Sequence, residues 1–361
     1  MSLSNFTMKI GAPEFQPKKI LIILHGSIGD VTRALPLAGA LRKAFPSAFI
    51  AWSIEPASLP LLQGNDAIDE ILLFDRPHWR QTIGAFLADV RRRKFDLVLD
   101  LQRHLKSGLI SRWTGASQRL GFHRRDSKEL NWIFNNLRIE PYGDRISKLE
   151  HYGKFADYLG IERAPLEWDF HLTAAELNCV EKHLFGVSAS FAVLFIGTRW
   201  QSKQWFTGQM AECAQALRHE YDLDIVLLGG KEDREIARQA VLESQVKLTN
   251  LAGLTSLREA IGIIERATLA VGPDTGLMHI AAAVHTPVIS LWGATSPERT
   301  GPYGFEDLII QGRASCVPCN RRHCSIGRIC LKSITTAQIA EKVARAFKRQ
   351  PARRLCRAEG D

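Results

Sequence analysis

One stretch near the carboxyl-terminal end of the sequence constrains the fold more strongly than any other. The apolar run at 269–271 predicts a buried strand, and Pro273 and Gly276 prevent that strand from continuing. Residues 277–283 have helical composition, and a second apolar run follows at Val288–Trp292. A strand, a sharp turn, a helix and a second strand form the repeating unit of an open parallel sheet. The turn should therefore lie at the ligand-facing edge, where exposed helix N–H groups favour a phosphate.

The same alternation of strands and helices recurs along the chain in two rounds. Each round opens with a strand, a glycine-containing loop and a helix, first from residue 19 and again from residue 191. This pattern predicts an α/β fold with two doubly wound parallel sheets. We predict a flexible leader, a first α/β domain, a second α/β domain, and a final helix and tail that could pack back on the first domain, at 1–17, 18–168, 169–334 and 335–361.

The charge balance favours an acidic partner. The 361 residues include 47 Lys and Arg against 38 Asp and Glu, which gives a formal net charge of +9. A phosphorylated substrate or an anionic membrane surface would suit this excess, and the alternative is a modestly basic surface without a partner. No nucleic-acid-binding motif is present, so nucleic acid is not expected. No apolar run approaches the roughly 20 residues that cross a bilayer, and residues 1–17 do not resemble a signal peptide, so we expect a cytoplasmic protein.

Three motifs in the second half carry a resemblance to a known family. D-T-G-L-M-H-I-A-A-A at 274–283, W-G-A-T-S-P at 292–297 and T-G-P-Y-G at 300–304 resemble the donor-site signature of glycosyltransferase family 9, the lipopolysaccharide heptosyltransferases. The chain looks nearer the second heptosyltransferase type. The resemblance implies a GT-B fold, in which two such domains face a cleft, and inverting, metal-independent transfer of heptose from ADP-heptose. The alternative is a generic strand, turn and helix that binds nothing, in which Asp274 caps the helix and His279 packs in the core.

The first glycine-containing loop, G-S-I-G-D at 26–30, ends on a carboxylate. It lacks the third glycine of a dinucleotide fingerprint, so that motif is not indicated. Asp30 stands where a helix N-cap belongs, and capping is one interpretation. The resemblance implies a second one, in which Asp30 is the general base that removes a proton from the acceptor hydroxyl.

A second loop, at 197–205, is similar to the G-x-x-x-x-x-K-x-W motif of the family, although Phe206 stands where the family usually has proline. The resemblance implies that Thr198 and Lys203 bind the donor diphosphate, and a lysine there could stabilise the leaving group without a metal. The alternative for Lys203 is an ordinary solvated lysine.

The resemblance also implies several further donor contacts. Glu232, with Asp233 as the second choice, would bind the ribose, although acidic residues at a helix start also stabilise the helix dipole without any ligand. His279 could contact the donor or simply pack in the core. The remaining predicted donor-binding residues are Asp274, Thr275, Gly276 and Thr295.

The acceptor side is expected to be basic. D-L-Q-R-H-L-K-S at 100–107 matches the D-x-Q-x-x-x-K-S pattern of the family. The implied acceptor is the Kdo and heptose inner core on lipid A, whose phosphates and carboxylates suit Lys and Arg, with transient association at the inner face of the inner membrane. The alternative is a solvated charged face. The predicted acceptor-binding residues are Arg103, Lys106, Arg124 and Arg125.

Four cysteines cluster near the end of the second domain, spaced C-x2-C-x4-C-x5-C. Four thiolates could hold a structural Zn, but the spacing is not that of paired C-x2-C motifs, and free thiols or an oxidised pair are the alternatives. No convincing D-x-D metal motif is present, so no cofactor is expected to be required for transfer. The cysteines are Cys316, Cys319, Cys324 and Cys330.

Three other functions fit parts of the same pattern. A transferase of another nucleotide sugar would keep the donor motifs. A nucleotide-sugar epimerase would need no basic acceptor surface, and a non-catalytic nucleotide-sugar-binding protein would not depend on Asp30 for its signal.

Overall fold

The computed structural model describes residues 16–143, 146–163 and 165–349. Most of the predicted leader, the tail beyond residue 349 and Cys356 lie outside the described residues. The chain divides into two compact units between His171 and Leu172.

The first unit is built on a six-stranded parallel sheet with the strand order β3-β2-β1-β4-β5-β6. Its strands are β1 (Lys19–Ile23), β2 (Phe49–Ile54), β3 (Glu70–Leu73), β4 (Leu97–Asp100), β5 (Gln118–Gly121) and β6 (Leu137–Arg138). Its helices are α1 (Ile28–Ala44), α2 (Trp79–Arg92), α3 (Leu105–Trp113) and α4 (Lys148–Tyr158).

The second unit repeats this strand order, with a parallel sheet that runs β9-β8-β7-β10-β11-β12. Its strands are β7 (Phe191–Phe195), β8 (Asp224–Leu228), β9 (Leu248–Asn250), β10 (Leu269–Pro273), β11 (Val288–Trp292) and β12 (Ile309–Gln311). Its helices are α5 (Ala174–His183), α6 (Thr207–Tyr221), α7 (Arg234–Glu243), α8 (Leu257–Arg266), α9 (Gly276–Ala283), α10 (Pro297–Thr300), α11 (Ile329–Lys332) and α12 (Thr336–Lys348).

The central strands explain why each sheet is covered on both faces. Residues Ile20, Leu21, Ile22 and Ile23 are all fully buried, and so is nearly every residue of β7. Because successive side chains of a strand point to opposite faces, a continuous apolar run can be buried only between two layers of helices. The prediction of two doubly wound α/β sheets is confirmed.

Helix α12 packs within the second unit. Its apolar positions Ile339, Val343 and Ala346 join the core that also contains residues of α6, β11 and β12. The spacing of these positions is that of one helical face.

The shared strand order determines where a ligand site can form. In each sheet the order reverses beside the first strand of the unit, so the loops after β1 and β4, and those after β7 and β10, leave the sheet at a switch point. Of the predicted site residues, Arg103, Lys203 and Asp274 lie in these loops, and Asp30 lies in the first turn of the helix that follows β1.

The prediction that Asp30 occupies an N-cap position is wrong. Helix α1 begins at Ile28, its N-cap is Ser27, and Asp30 lies at the third helical position. The Ser27 hydroxyl accepts a hydrogen bond from the Asp30 N–H at 3.3 Å, and the Asp30 carboxylate accepts one from the Ser27 N–H at 3.4 Å. This is a capping box, in which the two residues satisfy each other's free backbone donors.

Candidate functional site

Three residues from three loops of the second unit meet at one carboxylate. The Lys203 ammonium lies 2.5 Å from Oδ2 of Asp274, and the Thr295 hydroxyl donates a hydrogen bond to the same oxygen at 2.6 Å. The three residues follow β7, β10 and β11 respectively, at the carboxyl edge of the sheet. All three were predicted as donor-binding residues, and the structure brings them together.

The loop that presents Lys203 is held at several points. Trp205 is buried in the core, and the Ser202 hydroxyl donates to the Arg321 carbonyl at 2.5 Å. The Lys203 ammonium also lies 4.5 Å from the centre of the Trp200 ring, a cation–π contact. Only 16% of the Lys203 side chain is exposed, so this lysine differs from the solvated loop lysine of the alternative interpretation. Thr198 bonds within the same loop, where its hydroxyl donates to the Trp200 carbonyl at 2.8 Å.

The start of helix α9 is not capped by a side chain. Thr275 is its N-cap residue but makes no side-chain capping bond, and the Asp274 carboxylate is engaged by Lys203 and Thr295. Thr275 therefore occupies the N-cap position, as the sequence allowed, and the alternative in which Asp274 caps this helix is wrong. The first N–H groups of α9, from Gly276 onward, remain suited to an anion. His279, one turn further along, is buried.

The two candidates for a ribose contact differ sharply in exposure. Glu232 is exposed, whereas Asp233 is buried and accepts a hydrogen bond from the Gly230 N–H at 2.7 Å. A Cβ atom added to Gly197 would lie 1.8 Å from Oδ2 of Asp233, so only glycine fits there. Burial raises the pKa of Asp233. Asp233 thus holds the loop after β8 together and packs closely against Gly197 in the loop after β7, and Glu232 is the carboxylate open to a ligand.

In the first unit, Asp30 lies between two cations. Its carboxylate accepts hydrogen bonds from the Lys148 ammonium and, at 2.9 Å, from the Arg33 guanidinium, and the Ser27 hydroxyl donates to it at 2.8 Å. Burial alone would raise the pKa of Asp30, but the charges of Lys148 and Arg33 outweigh that effect. The pKa of Asp30 therefore lies well below its usual range, and the group is ionised at any physiological pH.

The motif residue Gln102 joins the loops that follow β1 and β4. Its side-chain oxygen accepts from the His25 N–H at 2.7 Å, and its side-chain nitrogen donates to the His25 carbonyl at 2.7 Å. These two hydrogen bonds hold the backbone of His25, at the start of the loop that leads to Asp30, against the side chain of Gln102. The His25 ring stacks on Phe74 with centroids 4.4 Å apart, and its Nε2 lies 2.7 Å from the Ser53 hydroxyl. Burial, together with the charges of Arg76 and Lys106, lowers the pKa of His25 to about 3.

Asp100, the first residue of the D-x-Q-x-x-x-K-S motif, also has a structural role. Its side chain is fully buried, and it accepts hydrogen bonds from the amides of Asn131 at 2.6 Å and Asn135 at 3.1 Å. Burial raises the pKa of Asp100, and these hydrogen bonds partly oppose that effect. Asp100 therefore ties β4 to the segment around residue 131, which positions helix α3 and with it Lys106.

The four predicted acceptor-binding residues fall into two classes. Lys106, Arg124 and Arg125 are exposed. Arg103 is partly buried and bonds internally, to the Asp126 carbonyl at 3.0 Å and the Tyr142 hydroxyl at 3.2 Å, with its guanidinium over the Phe122 ring. The first three can reach an anionic ligand directly, whereas Arg103 stabilises the loop that carries Arg124 and Arg125.

Lys148 and Arg33 were missed by sequence reasoning. Lys148 is 118 residues from Asp30 and begins a helix with no recognisable motif, so no local signal marks the contact. The Ser27-x-x-Asp30 capping box was visible as a pattern and would have placed Asp30 inside the helix rather than at its cap.

The described cysteines are all free thiols, so the oxidised-pair alternative is not found among them. Cys330 is buried, and burial together with the neighbouring Cys324 and Cys316 raises its pKa. In the described part of the chain, the ligand atoms of Asp66, Asp169 and His171 lie close enough together to hold a metal ion. The ligand atoms of the four clustered cysteines, all within that part, do not converge in this way. A Zn held by the cysteines stays a prediction. Over the same residues, no helix has both the length and the apolar character to span a bilayer.

The sequence is similar to one family of sugar-transferring enzymes over most of its length. The family model for glycosyltransferase family 9 (heptosyltransferase) matches residues 83–330. The lipopolysaccharide core heptosyltransferase OpsX of Haemophilus influenzae is 24% identical over 297 residues, which are 81% of this chain and 84% of the relative. Lipopolysaccharide heptosyltransferase 2 of Escherichia coli K12 is 26% identical over 310 residues, 81% of this chain and 88% of the relative.

The fold is also similar to a solved heptosyltransferase. The E. coli heptosyltransferase WaaC with ADP superposes with a TM-score of 0.72 at 21% identity, covering 91% of this chain and 99% of that one. This likeness identifies the two doubly wound units as the GT-B type of fold.

Proposed function

This chain belongs to glycosyltransferase family 9, the heptosyltransferases, and we propose that it transfers heptose from ADP-heptose to the Kdo and heptose inner core of lipopolysaccharide. The observation that carries the proposal is the convergence of Lys203 and Thr295 on the Asp274 carboxylate. Relatives named as heptosyltransferases align with most of the chain, and a similar fold has been solved with ADP.

The donor would be held in the second unit. Lys203 and the first N–H groups of α9 suit the diphosphate, and Asp274 can accept hydrogen bonds from sugar hydroxyls. As the bond to the anomeric carbon breaks, negative charge grows on the diphosphate, and a fixed ammonium stabilises that charge more in the transition state than in the ground state. Asp274 holds the Lys203 ammonium in place before the donor arrives, which limits the reorganisation needed on binding.

The base would be Asp30. The acceptor hydroxyl gives its proton to the Asp30 carboxylate as its oxygen attacks the anomeric carbon, and ADP leaves from the opposite face with inversion. The cations Lys148 and Arg33 keep this carboxylate ionised, but they also weaken it as a base. We therefore assign Lys148 a second role, in which an anionic acceptor draws its ammonium away and the basicity of Asp30 rises.

The acceptor would be bound through exposed cations. Among the described residues, no ion pair engages Lys106, Arg124 or Arg125, so their charges are available to phosphates or carboxylates. Charge-assisted hydrogen bonds of this kind are stronger than neutral ones and suit a Kdo carboxylate or a lipid A phosphate.

The test measures transfer from ADP-heptose to a Kdo-bearing acceptor through the release of ADP. Formation of a heptosylated product from ADP-heptose and Kdo-lipid A supports the proposal. Product only with another nucleotide sugar would keep the transferase and change the donor. Epimerised donor formed without any acceptor would favour the epimerase, and tight donor binding without product would favour a non-catalytic binding protein.

A further inference from the structure

Helix α3 presents an apolar stripe to solvent. Leu105, Leu109 and Trp113 are 40%, 50% and 50% exposed. They are spaced four residues apart, so they lie along one side of the helix. The opposite side, which includes Ser107 and Ile110, is buried. A surface helix normally turns its apolar side inward, so this outward stripe calls for a partner.

Two further exposed apolar side chains lie in the turn beside α3. Leu130 and Ile133 are 62% and 55% exposed. The turn is fastened to the helix, because the Asn131 side chain donates to the His104 carbonyl at 2.8 Å and to the Ser107 hydroxyl at 3.2 Å. We call the five side chains together the α3 patch: Leu105, Leu109, Trp113, Leu130 and Ile133.

The far end of the patch is also held in place. The Trp113 indole N–H donates to the Leu87 carbonyl of α2 at 3.1 Å, and the Arg91 guanidinium donates to the Trp113 carbonyl at 2.9 Å. Trp113 as a whole nevertheless remains half exposed to solvent. A tryptophan with its N–H satisfied and its ring exposed is typical of the boundary between water and lipid.

Positive charge dominates the segment that carries the patch. Between residues 104 and 134 there are two acids, of which Asp126 is buried and Glu129 lies 3.2 Å from the His104 ring nitrogen. The exposed cations in the same segment are Lys106, Arg112, Arg124, Arg125 and Lys128.

We propose that the α3 patch docks this protein on an anionic lipid bilayer. Apolar side chains enter the boundary between headgroups and acyl chains, while the surrounding cations stay at the level of the lipid phosphates. The inference concerns the membrane rather than the donor, and it rests on the proposed function only in that a lipid-borne acceptor would lie in the same surface.

A second copy of the chain fits the patch less well. A second α3 patch would bring the same cations, so the rims would repel each other. Five half-exposed side chains also offer on the order of 500 Å², below the roughly 800 Å² that each partner contributes to a standard stable interface. A bilayer needs neither shape complementarity nor a matching acidic rim.

The experiment compares two double variants of the full chain in vesicle flotation. The vesicles are pure phosphatidylcholine, or phosphatidylcholine and phosphatidylglycerol in equal parts, without acceptor or donor. Leu109→Ser with Ile133→Ser removes apolar surface from the α3 patch. The matched control, Phe185→Ser with Leu242→Ser, removes side chains that are 90% and 65% exposed in the second unit.

Wild type and the control should bind the anionic vesicles, more weakly at high salt, and the patch variant should lose at least roughly tenfold in partitioning with an unchanged Tm. Equal binding by the patch variant and wild type would overturn the proposal. The proposal would also be overturned if the wild type binds no vesicles but forms a dimer, and the patch variant is a monomer. Because these assays contain no sugar nucleotide, they test membrane docking separately from transfer. Docking can fail while transfer to a water-soluble acceptor succeeds, and docking can succeed while transfer fails.

Discussion

Lys203 and Asp274 form an ion pair of 2.5 Å between Nζ and Oδ2, although 71 residues separate them in the sequence. Both side chains are largely buried, with 16% and 11% of their surfaces exposed. A pair so poorly solvated is costly to break on one side, because the remaining charge is left without compensation. The pair therefore fixes the loop after β7 against the turn after β10, immediately before the start of α9.

Replacing Lys203 with Ala should weaken ADP binding and lower kcat/KM by roughly a hundredfold to a thousandfold, since the diphosphate loses its cation and meets the bare Asp274 carboxylate. Calorimetry with ADP and initial rates with ADP-heptose would measure both effects. Lys247→Ala, at an exposed lysine of the same unit, is the matched control and should behave like wild type. A Lys203→Ala enzyme that binds ADP normally would contradict the donor assignment.

The fold was predictable where apolar runs and capping residues agree. Thr173 and Glu176 form the capping box of α5, and the central strands lie within a residue or two of their apolar runs. The short strands β5, β6, β9 and β12 were missed. They lie toward the edges of the sheets and carry polar or half-buried residues, so they show no continuous apolar run.

Replacing Asp30 with Asn should lower kcat by roughly a hundredfold to ten-thousandfold and leave donor affinity unchanged, because proton removal is lost while the donor residues are intact. Single-turnover rates and the stabilisation of the protein by ADP would separate the two quantities. Normal turnover in this variant would exclude Asp30 as the base. A parallel loss of ADP binding would indicate damage to the fold instead.

Replacing Lys148 with Met should raise the pKa of Asp30, since the largest charge that opposes its protonation disappears. A protonated Asp30 cannot act as a base, so the acid limb of the kcat/KM profile should move to higher pH in this variant. Lys154→Met, on the same helix, is the control and should leave that limb in place. An acid limb that does not respond to Lys148 would mean that Asp30 does not set it.

The convergence of the predicted donor-binding residues was predictable because motifs mark them, and the environment of Asp30 was not. Lys203, Asp274 and Thr295 each follow a strand, and strand ends of a parallel sheet share one edge, so sequence order was enough to bring them together. One of the two cations beside Asp30, Lys148, comes from α4, which follows an irregular segment whose path no local pattern predicts. Asp100 and Gln102 show the opposite case. They belong to a motif that is easy to recognise in the sequence, but their side chains hold loops together.

Chelation should leave transfer unaffected if Lys203, as proposed, supplies the positive charge that a divalent ion would otherwise provide. Initial rates with and without EDTA test this, with added Mg²⁺ as the control. Activity that EDTA abolishes and Mg²⁺ restores would contradict a metal-independent mechanism. A Zn bound by the four cysteines is a separate prediction, and metal analysis of the purified protein would detect it without altering the rate comparison.

His25 should make the protein less stable in mild acid. Its pKa is about 3 in the folded chain and about 6.5 when unfolded, so between these values the unfolded chain binds a proton that the folded chain does not. Stability is therefore fully present above pH 6.5 and falls as the pH drops toward 3, with a loss of about 2 kcal/mol by pH 5.

Urea unfolding at about pH 7.5 and about pH 5 measures this loss, and His25→Gln should reduce the difference between the two free energies by about 2 kcal/mol, even if it lowers both. His219→Gln removes an exposed histidine of the second unit and is the control for the loss of an imidazole. If His25→Gln and His219→Gln leave the same difference as wild type, the buried neutral state of His25 is not what makes the fold sensitive to acid. The Asp30 carboxylate does not contribute to this difference. Its lowered pKa affects stability only below about pH 4, because only there does the carboxyl of the unfolded chain begin to bind protons.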